Sequence, residues 1–423
     1  MNILWLINIS LPEASILLGE KPSPFGGWLV NASKDLSNQK DIKLSIAFPC
    51  NKSSKIKMLK GEKINYHLFN PINYKNTKAI QNNESFERII DEVKPDVVHI
   101  YGTEMAHTLS MVNVCKRLGI ETVVSIQGLV SIYAQHIYAS LPYYAVYGFT
   151  FRNLLRKDSV YWNKRNFEQR GKNETKALEN TNHIIGRTTW DKACSSQINP
   201  WAKYHFCNET LRKEFYSHKW ELNKCEKYSI FLSQGQYPIK GLHYMIEAMP
   251  LILERFPLAK VYVSGKDITR SETLKDKLLM TYYGKYVRNM IRKLKLEEKF
   301  IFTGPLDEQK MCQRYLMSNV FVCPSSIENS PNSLGEAMIL GLPCVASDVG
   351  GVSDMLKHKE EGFVYQTDAP YMLAHYVCTI FENEDLTVKF SNNAREHALL
   401  THDREENTSK LINIYNDILS NNS

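Results

Sequence analysis

The 423-residue sequence has no CxxC pair among its nine cysteines, no clean apolar run of bilayer length, no GxGxxG and no DxD triplet. Each absence excludes something. An odd number of cysteines without paired spacing suits neither a disulfide framework nor a structural zinc site, so they read as buried apolar fillers in a reducing compartment. Without a bilayer-length run, no membrane-spanning helix is expected. The opening MNILWLINISL lacks a basic start and is cut short by Pro12-Glu13, so it reads as a first strand rather than a signal sequence. That strand leads to Gly26-Gly27-Trp28 and not to a dinucleotide fingerprint. No zinc finger or arginine-rich tail supports a nucleic-acid partner.

What is present describes an ordinary globular chain, 43% hydrophobic and 23% charged, long enough for two domains. The net charge of +7 is unevenly placed: residues 1–200 carry 25 Lys and Arg against 17 Asp and Glu, which suits an anionic partner. Short apolar runs at Ile3-Ile9, Leu44-Phe48, Val97-Ile100, Thr122-Ile126 and His183-Ile185 predict parallel strands. Mixed segments between several of them, such as Gly27-Leu36, Ser85-Glu92 and Met105-Leu118, predict covering helices. The Asn- and Lys-rich span from 51 to 83 has room for extra edge strands. A second series starts near His205, with strands at Tyr228-Ser233, Lys260-Ser264, Phe300-Phe302, Val320-Cys323, Pro343-Ala346 and Phe363-Tyr365. Helices are predicted at Leu242-Glu254, Lys275-Leu294 and Asp307-Met317. The expected domains are 1–200, 201–400 and a terminal helix in 401–423, with Asn199-Lys203 as linker and a ligand in the groove between domains. Two readings are open for the terminal helix: a cap on the second domain, or a return to brace the first.

The most informative stretch is Phe321 to Leu356. A strand ending at Cys323 gives way to a polar loop and then to a helix expected from Leu334 to Leu340, stopped by Gly341-Leu342-Pro343. Glu328 and Glu336 flank that loop. Ser330, Pro331, Asn332, Ser333 and Leu334, with the freed amides of a helix start, form a candidate anion cradle. Glu336 in a first turn would suit the helix dipole, and its carboxylate could also accept two hydrogen bonds from a vicinal diol such as ribose.

These residues resemble the nucleotide-sugar site of retaining glycosyltransferases of family 4, which have the GT-B fold: two Rossmann-like α/β domains with an interdomain cleft. The resemblance rests on Glu328 and Glu336 separated by seven residues, on Glu336-Ala337-Met338 with Gly341-Leu342-Pro343, and on Asp348 with Gly350-Gly351. Phe302-Thr303-Gly304 and Lys240-Gly241 add to it, and Pro95-Asp96-Val97-Val98-His99 extends it into the first domain. It implies an acceptor-binding first domain and a nucleotide-sugar-binding second domain. Glu328 would contact the transferred sugar, Glu336 the ribose, Ser330 through Ser333 the diphosphate and sugar, and Lys240 the phosphates. Where the family usually has an arginine five or six residues before that lysine, this chain has Gln234 and Gly235; an amide can bond a phosphate oxygen but brings no charge.

Other candidates carry two readings each. Gly26 and Gly27 permit close approach to a diphosphate, or simply make a tight turn. His99, at a strand end, is an acid-base candidate or a buried structural histidine, and Gln127 stands where the family often has a histidine. Arg187 either nears the donor phosphate or pairs with Asp191 to hold a loop. Lys240 alone could be a surface residue ahead of a helix. From Phe149 to Lys172, Phe151, Leu154, Leu155, Tyr161, Trp162 and Phe167 interleave with seven basic and two acidic residues, suiting an anionic membrane or a packed insertion.

The implied reaction is transfer of a hexosyl group from a nucleotide diphosphate sugar, a UDP-sugar being favoured, to a saccharide or lipid-linked hydroxyl acceptor in bacterial surface polysaccharide or glycolipid synthesis. No further cofactor and no metal are expected. The expected location is cytoplasmic, with peripheral contact at the inner face of the membrane. A sugar-nucleotide epimerase of the same architecture and a noncatalytic polysaccharide- or membrane-associated scaffold remain alternatives.

Overall fold

The computed structural model describes residues 1–22, 26–55, 57–76, 80 and 83–420. The chain divides into two compact units, one formed by Met1–Ile132, Phe167–Leu211 and His402–Ser423, the other by Tyr133–Asn166 and Arg212–Thr401.

The first unit is built on β1 (Asn2–Leu6), β2 (Lys43–Pro49), β3 (Met58–Lys60), β4 (Asn65–Phe69), β5 (Val97–Tyr101), β6 (Glu121–Ser125), β7 (His183–Gly186) and β8 (Lys203–Phe206), in the sheet order β3-β4-β2-β1-β5-β6-β7-β8. Neighbours run parallel except β3 and β4, the edge pair from the Asn- and Lys-rich span. Central strands are buried on both faces, which is why they read as unbroken apolar runs. The second unit carries β9 (Ser229–Leu232), β10 (Lys260–Val263), β11 (Phe300–Phe302), β12 (Val320–Cys323), β13 (Cys344–Asp348) and β14 (Phe363–Gln366), all parallel, in the order β11-β10-β9-β12-β13-β14.

Each sheet reverses its direction of winding once, between β1 and β5 in the first and between β9 and β12 in the second. At such a reversal the connections leave in opposite directions, and the carboxyl ends of the strands open onto a crevice. The second reversal places the loops after β9 and β12 side by side.

The domain boundaries differ from the expected ones. Lys203–Phe206, expected as linker and start of the second series, pairs with β7 as the last strand of the first sheet, so this unit runs on to Leu211. Its half-exposed edge pattern carries none of the continuous burial that marks the other strands. Residues 133–166 group with the second unit despite their place in the sequence. Lys275-Leu294 is two helices, Leu274–Leu279 and Tyr282–Lys293, because the Thr281 hydroxyl accepts the Gly284 amide and caps a new start.

The helix Arg404–Ser420 packs with the first unit. Leu411, Ile414, Tyr415 and Ile418 join its core, and the Arg404 guanidinium forks onto Asp35 at 2.9 and 2.5 Å. The fully buried Tyr415 hydroxyl accepts the Trp5 indole N–H at 2.9 Å and lies 2.6 Å from His99 Nδ1. Tyr415→Phe, which orphans these partners, is expected to lower unfolding free energy by about 1–3 kcal/mol. Tyr415→Ala should cost about 3–5 kcal/mol, with a cavity added. Urea unfolding of both variants checks this; two wild-type midpoints would contradict it.

Candidate functional site

The loop after β9 passes through Gln234, which is exposed, and Gly235, closes a single turn at Pro238–Lys240, and enters the helix Leu242–Arg255 at Gly241. Gly241 has φ 71°, and a Cβ there would lie 1.7 Å from the Pro324 carbonyl oxygen. Only glycine lets the two loops touch at this point. The approach brings Lys240 Nζ to 2.5 Å from Glu328 Oε1, and the Ser325 hydroxyl donates to the same oxygen at 2.7 Å. Glu328 is braced from the other side by Gly350 and Gly351. The Gly351 amide donates to the Glu328 carbonyl at 3.2 Å, and a Cβ on Gly350 would stand 1.8 Å from that oxygen. Three separated sequence motifs thus converge on Glu328, two on its carboxylate and one on its backbone carbonyl. Burial opposes the charge on Lys240, but the neighbouring Glu328 outweighs it and raises the lysine pKa.

Glu336 is differently held. The helix begins at Asn332, two residues before the expected start, so Glu336 is its fifth residue and stands beyond the first turn. The dipole argument for its placement therefore does not apply. Its partner is Arg212, whose Nε and Nη2 donate to the two carboxylate oxygens at 2.6 Å each while the guanidinium lies 4.7 Å from the Phe215 ring centre. Burial raises the Glu336 carboxyl pKa above its ordinary value, and the Arg212 fork, through its two short bonds, offsets only part of that rise. Each oxygen retains acceptor capacity for one more bond.

The cradle is narrower than expected. The Leu334 side chain is wholly buried and its amide is spent on the Pro331 carbonyl at 2.9 Å, so Leu334 offers a ligand neither group. The Ser330 hydroxyl lies 3.4 Å from Met355 Sδ, and the Ser333 carbonyl accepts the Tyr315 hydroxyl at 3.0 Å. Asn332 and Ser333 form the first two positions of the helix, after Pro331.

At the carboxyl ends of β9, β10 and β11 opens a cavity of about 890 Å³, lined by Gln236, Tyr237, Lys266, Asp267, Phe302 and Gly304 among others. It lies next along the sheet from the Lys240–Glu328 pair, and its size is that of a small-molecule site.

In the first unit, Gly26 adopts φ 76° and opens the helix Gly27–Ser37; residues 23–25 just before it lie outside the described residues. The Arg187 guanidinium donates to Glu209 at 2.8 Å, and the Gln127 amide donates to the other oxygen at 2.6 Å. Asp191, the expected partner, instead accepts the Arg187 backbone amide at 2.9 Å. Arg187, Glu209, Gln127 and His99 line a cavity of about 40 Å³. His99 is 1% exposed, with Nδ1 at 2.6 Å from the Tyr415 hydroxyl and Nε2 at 2.7 Å from the Ser125 hydroxyl. Burial lowers its pKa to about 3, so the ring is neutral and both nitrogens are engaged. The expectation of an acid-base histidine is corrected: β5 runs on through Tyr101, and His99 belongs to the core.

Sequence reasoning missed Arg212 and Glu209. Both are loop residues without periodicity, and neither the residue type nor the spacing announces the partner. Among the described residues no group of three His, Cys, Asp or Glu could hold a metal ion, and no helix is long and apolar enough to cross a membrane.

Residues 213–397 match the family model described as glycosyl transferases group 1. An uncharacterized glycosyltransferase of Methanocaldococcus jannaschii is 27% identical over 190 residues, covering 45% of this chain and 45% of that protein. The putative glycosyltransferase YtcC of Bacillus subtilis is 27% identical over 186 residues, 43% of this chain and 44% of its own. The match therefore spans under half the length of these curated relatives. Sucrose-phosphate synthase from Thermosynechococcus elongatus superposes with a TM-score of 0.71 at 15% identity, over 99% of this chain and 100% of that one. Anabaena HepE in complex with UDP-glucose superposes with a TM-score of 0.66 at 14% identity, over 98% and 99%. The fold is GT-B, two Rossmann-like α/β domains.

Two outcomes follow from these pairs. Arg212→Ala strands a buried carboxylate and is expected to cost about 3–5 kcal/mol of stability, read by urea unfolding, whereas an unchanged midpoint would count against the pairing. His99 and His107 are buried with pKa values lowered to about 3 and about 4 from 6.5. Their neutral forms favour the fold fully above pH 6.5, and this stability is lost as pH falls from there through 4 toward 3. A urea midpoint that stays flat between pH 6.5 and 4 would contradict that assignment.

Proposed function

We propose that the chain is a retaining glycosyltransferase, similar to those of family 4, that moves a hexosyl group from a nucleotide diphosphate sugar to a hydroxyl acceptor. The observation that carries this reading is the Lys240–Glu328 pair at the winding reversal of the second sheet, with Glu336 on the helix that follows. A bound diphosphate would take the Lys240 ammonium from Glu328, releasing the carboxylate to orient sugar hydroxyls. As the bond from C1 to the diphosphate oxygen breaks, Lys240 and the amides at Asn332 and Ser333 would meet the developing negative charge. The acceptor oxygen would form the new C1 bond on the same face, through a short-lived oxocarbenium-like state, and its proton would leave with the diphosphate. Glu328 in this scheme orients and stabilises; it is not a covalent nucleophile.

Gln234 supplies no charge where enzymes of family 4 usually have an arginine, so Lys240 is the principal cation for the leaving group. Glu336 would accept ribose hydroxyls through the lone pairs that Arg212 leaves. Gly26 and Gly27 would let a sugar or phosphate approach the first unit, which would bind the acceptor while the second binds the donor. Arg187 is tied to Glu209 and would act by shaping that unit. The HepE likeness supports a UDP-sugar donor, and the likeness to WaaG, described as a glycosyltransferase involved in lipopolysaccharide biosynthesis, supports surface polysaccharide or glycolipid synthesis as the setting. A cytoplasmic enzyme in peripheral contact with the membrane would meet a lipid-linked acceptor there.

The test incubates purified protein with UDP-, GDP- or ADP-sugars, with and without extracted lipid-linked oligosaccharides, following nucleoside diphosphate release and product mass. Sugar transfer to an acceptor is expected; isomerised sugar from donor alone would replace this reading with an epimerase. Glu328→Gln should stay folded and turn over at least about tenfold more slowly, roughly 1.4 kcal/mol in activation free energy. Lys240→Ala should raise the donor KM or slow release of the diphosphate. Equal turnover of Glu328→Gln at saturating substrates would reject its role, and unchanged donor kinetics would reject that of Lys240.

A further inference from the structure

The short helix Phe151–Arg156 is built inside out. Its polar Asn153 is 1% exposed while Phe151, Leu154 and Leu155 are 62%, 56% and 70% exposed. The inversion is fixed by bonds: Asn153 Oδ1 accepts the Tyr282 amide at 2.8 Å, and Asn153 Nδ2 donates to Asp158 at 2.7 Å. The same segment is fastened to the helix Leu274–Leu279, with the Thr150 hydroxyl donating to the Met280 carbonyl at 2.7 Å and Arg152 donating to the Leu279 carbonyl at 2.8 Å. That second helix also turns its leucines out, Leu274 at 78% and Leu278 at 56% exposed. Just before this segment in the chain, Phe149, Tyr143 and Tyr147 are exposed as well, the two tyrosine rings in contact. Two helices distant in sequence thus present one apolar surface, and a contiguous patch of this kind marks an interaction site where scattered single residues do not.

The charges around it are mainly basic. Arg156, Lys157, Lys275 and Lys277 are exposed. The acidic groups of the same segments are occupied: Asp158 by Arg152 and Asn153, Asp276 by the start of its own helix, Glu272 by Arg270. Against a second copy of itself, such a face would set basic groups against basic groups.

We infer that this face docks the protein on an anionic lipid bilayer, the leucines and phenylalanines entering the boundary between headgroups and acyl chains while the four cations meet lipid phosphates. Aromatic residues suit the headgroup level, and lysine and arginine beside short apolar helices suit a negative leaflet. The surface differs from the one expected from sequence, Phe149 to Lys172: Tyr161 and Phe167 are half-buried, and Leu274–Leu279 takes their place. This inference deepens the peripheral contact proposed above but is tested without turnover, so its failure is distinct from failure of the transferase reading.

The experiment sediments the full chain with vesicles of phosphatidylcholine alone, or of phosphatidylcholine with phosphatidylglycerol, at low and high salt. Binding to the anionic vesicles, weakened by salt, is expected. The double variants Leu154→Ser with Leu155→Ser, and Arg156→Glu with Lys157→Glu, should each bind at least about tenfold less while keeping the wild-type unfolding midpoint. Equal binding to neutral vesicles, or undiminished binding by both double variants, would overturn the inference. So would a lipid-independent dimer in sedimentation velocity that the leucine variant dissolves.

Discussion

Contact between the loops after β9 and β12 is the constraint on which the candidate site depends, and glycine makes it possible. Lys240 and Glu328 stand 2.5 Å apart because Gly241 lets its turn rest on the Pro324 carbonyl, and Glu328 is aimed because Gly350 lets the loop after β13 rest on its own carbonyl. A side chain at either glycine would push main chain away by more than an ångström, in backbone conformations that disfavour it anyway. The pair adds little to stability, since removing two charges from water offsets most of their attraction. Its value is positional: an ammonium already partly stripped of water and already aimed costs less to present to an incoming phosphate than one that must be desolvated and ordered at binding.

The two glutamates are held by partners of unlike exchangeability. Lysine offers Glu328 a point charge on a flexible stem, and another anion can take that charge over. Arginine grips Glu336 through two parallel bonds in a fixed plane, backed by the Phe215 ring. Exchange there would cost both bonds at once. A ligand at Glu336 therefore has to add to the existing pair, whereas a ligand at Glu328 has to divide it.

The sequence disclosed elements whose signal is local. Strands buried on both faces appear as unbroken apolar runs, so β1, β5, β9 and β12 were readable to within a residue or two at their starts, and so was the loop-then-helix order that sets Glu328 in the loop and Glu336 on the helix after it. What depended on the partner was not. Nothing near Arg212 announces Glu336, 124 positions away, and nothing near Arg187 announces that Glu209 takes its guanidinium in preference to Asp191. His99 looked like a strand end because apolar residues stop at Ile100; Tyr101 and the Tyr415 hydroxyl from the last helix make it core instead. β8 stayed hidden because an edge strand needs only one buried face.

That last helix shows why unit membership cannot follow sequence order in this chain. Its seventeen residues come after the whole second sheet, yet they fill the first unit's core beneath β1. The amphipathic stripe of Leu411, Ile414, Tyr415 and Ile418 gave the helix, but a stripe says only that one face is covered and not by what. The decision lay in polar groups: Trp5 and His99 are buried in the first unit, the indole N–H and the His99 Nδ1 each require a hydrogen-bond partner, and the Tyr415 hydroxyl meets both while Ser125 takes the other ring nitrogen. Apolar surface is indiscriminate about its neighbours, whereas a buried N–H or ring nitrogen is not, so it is the few polar atoms at this contact that specify where the helix docks.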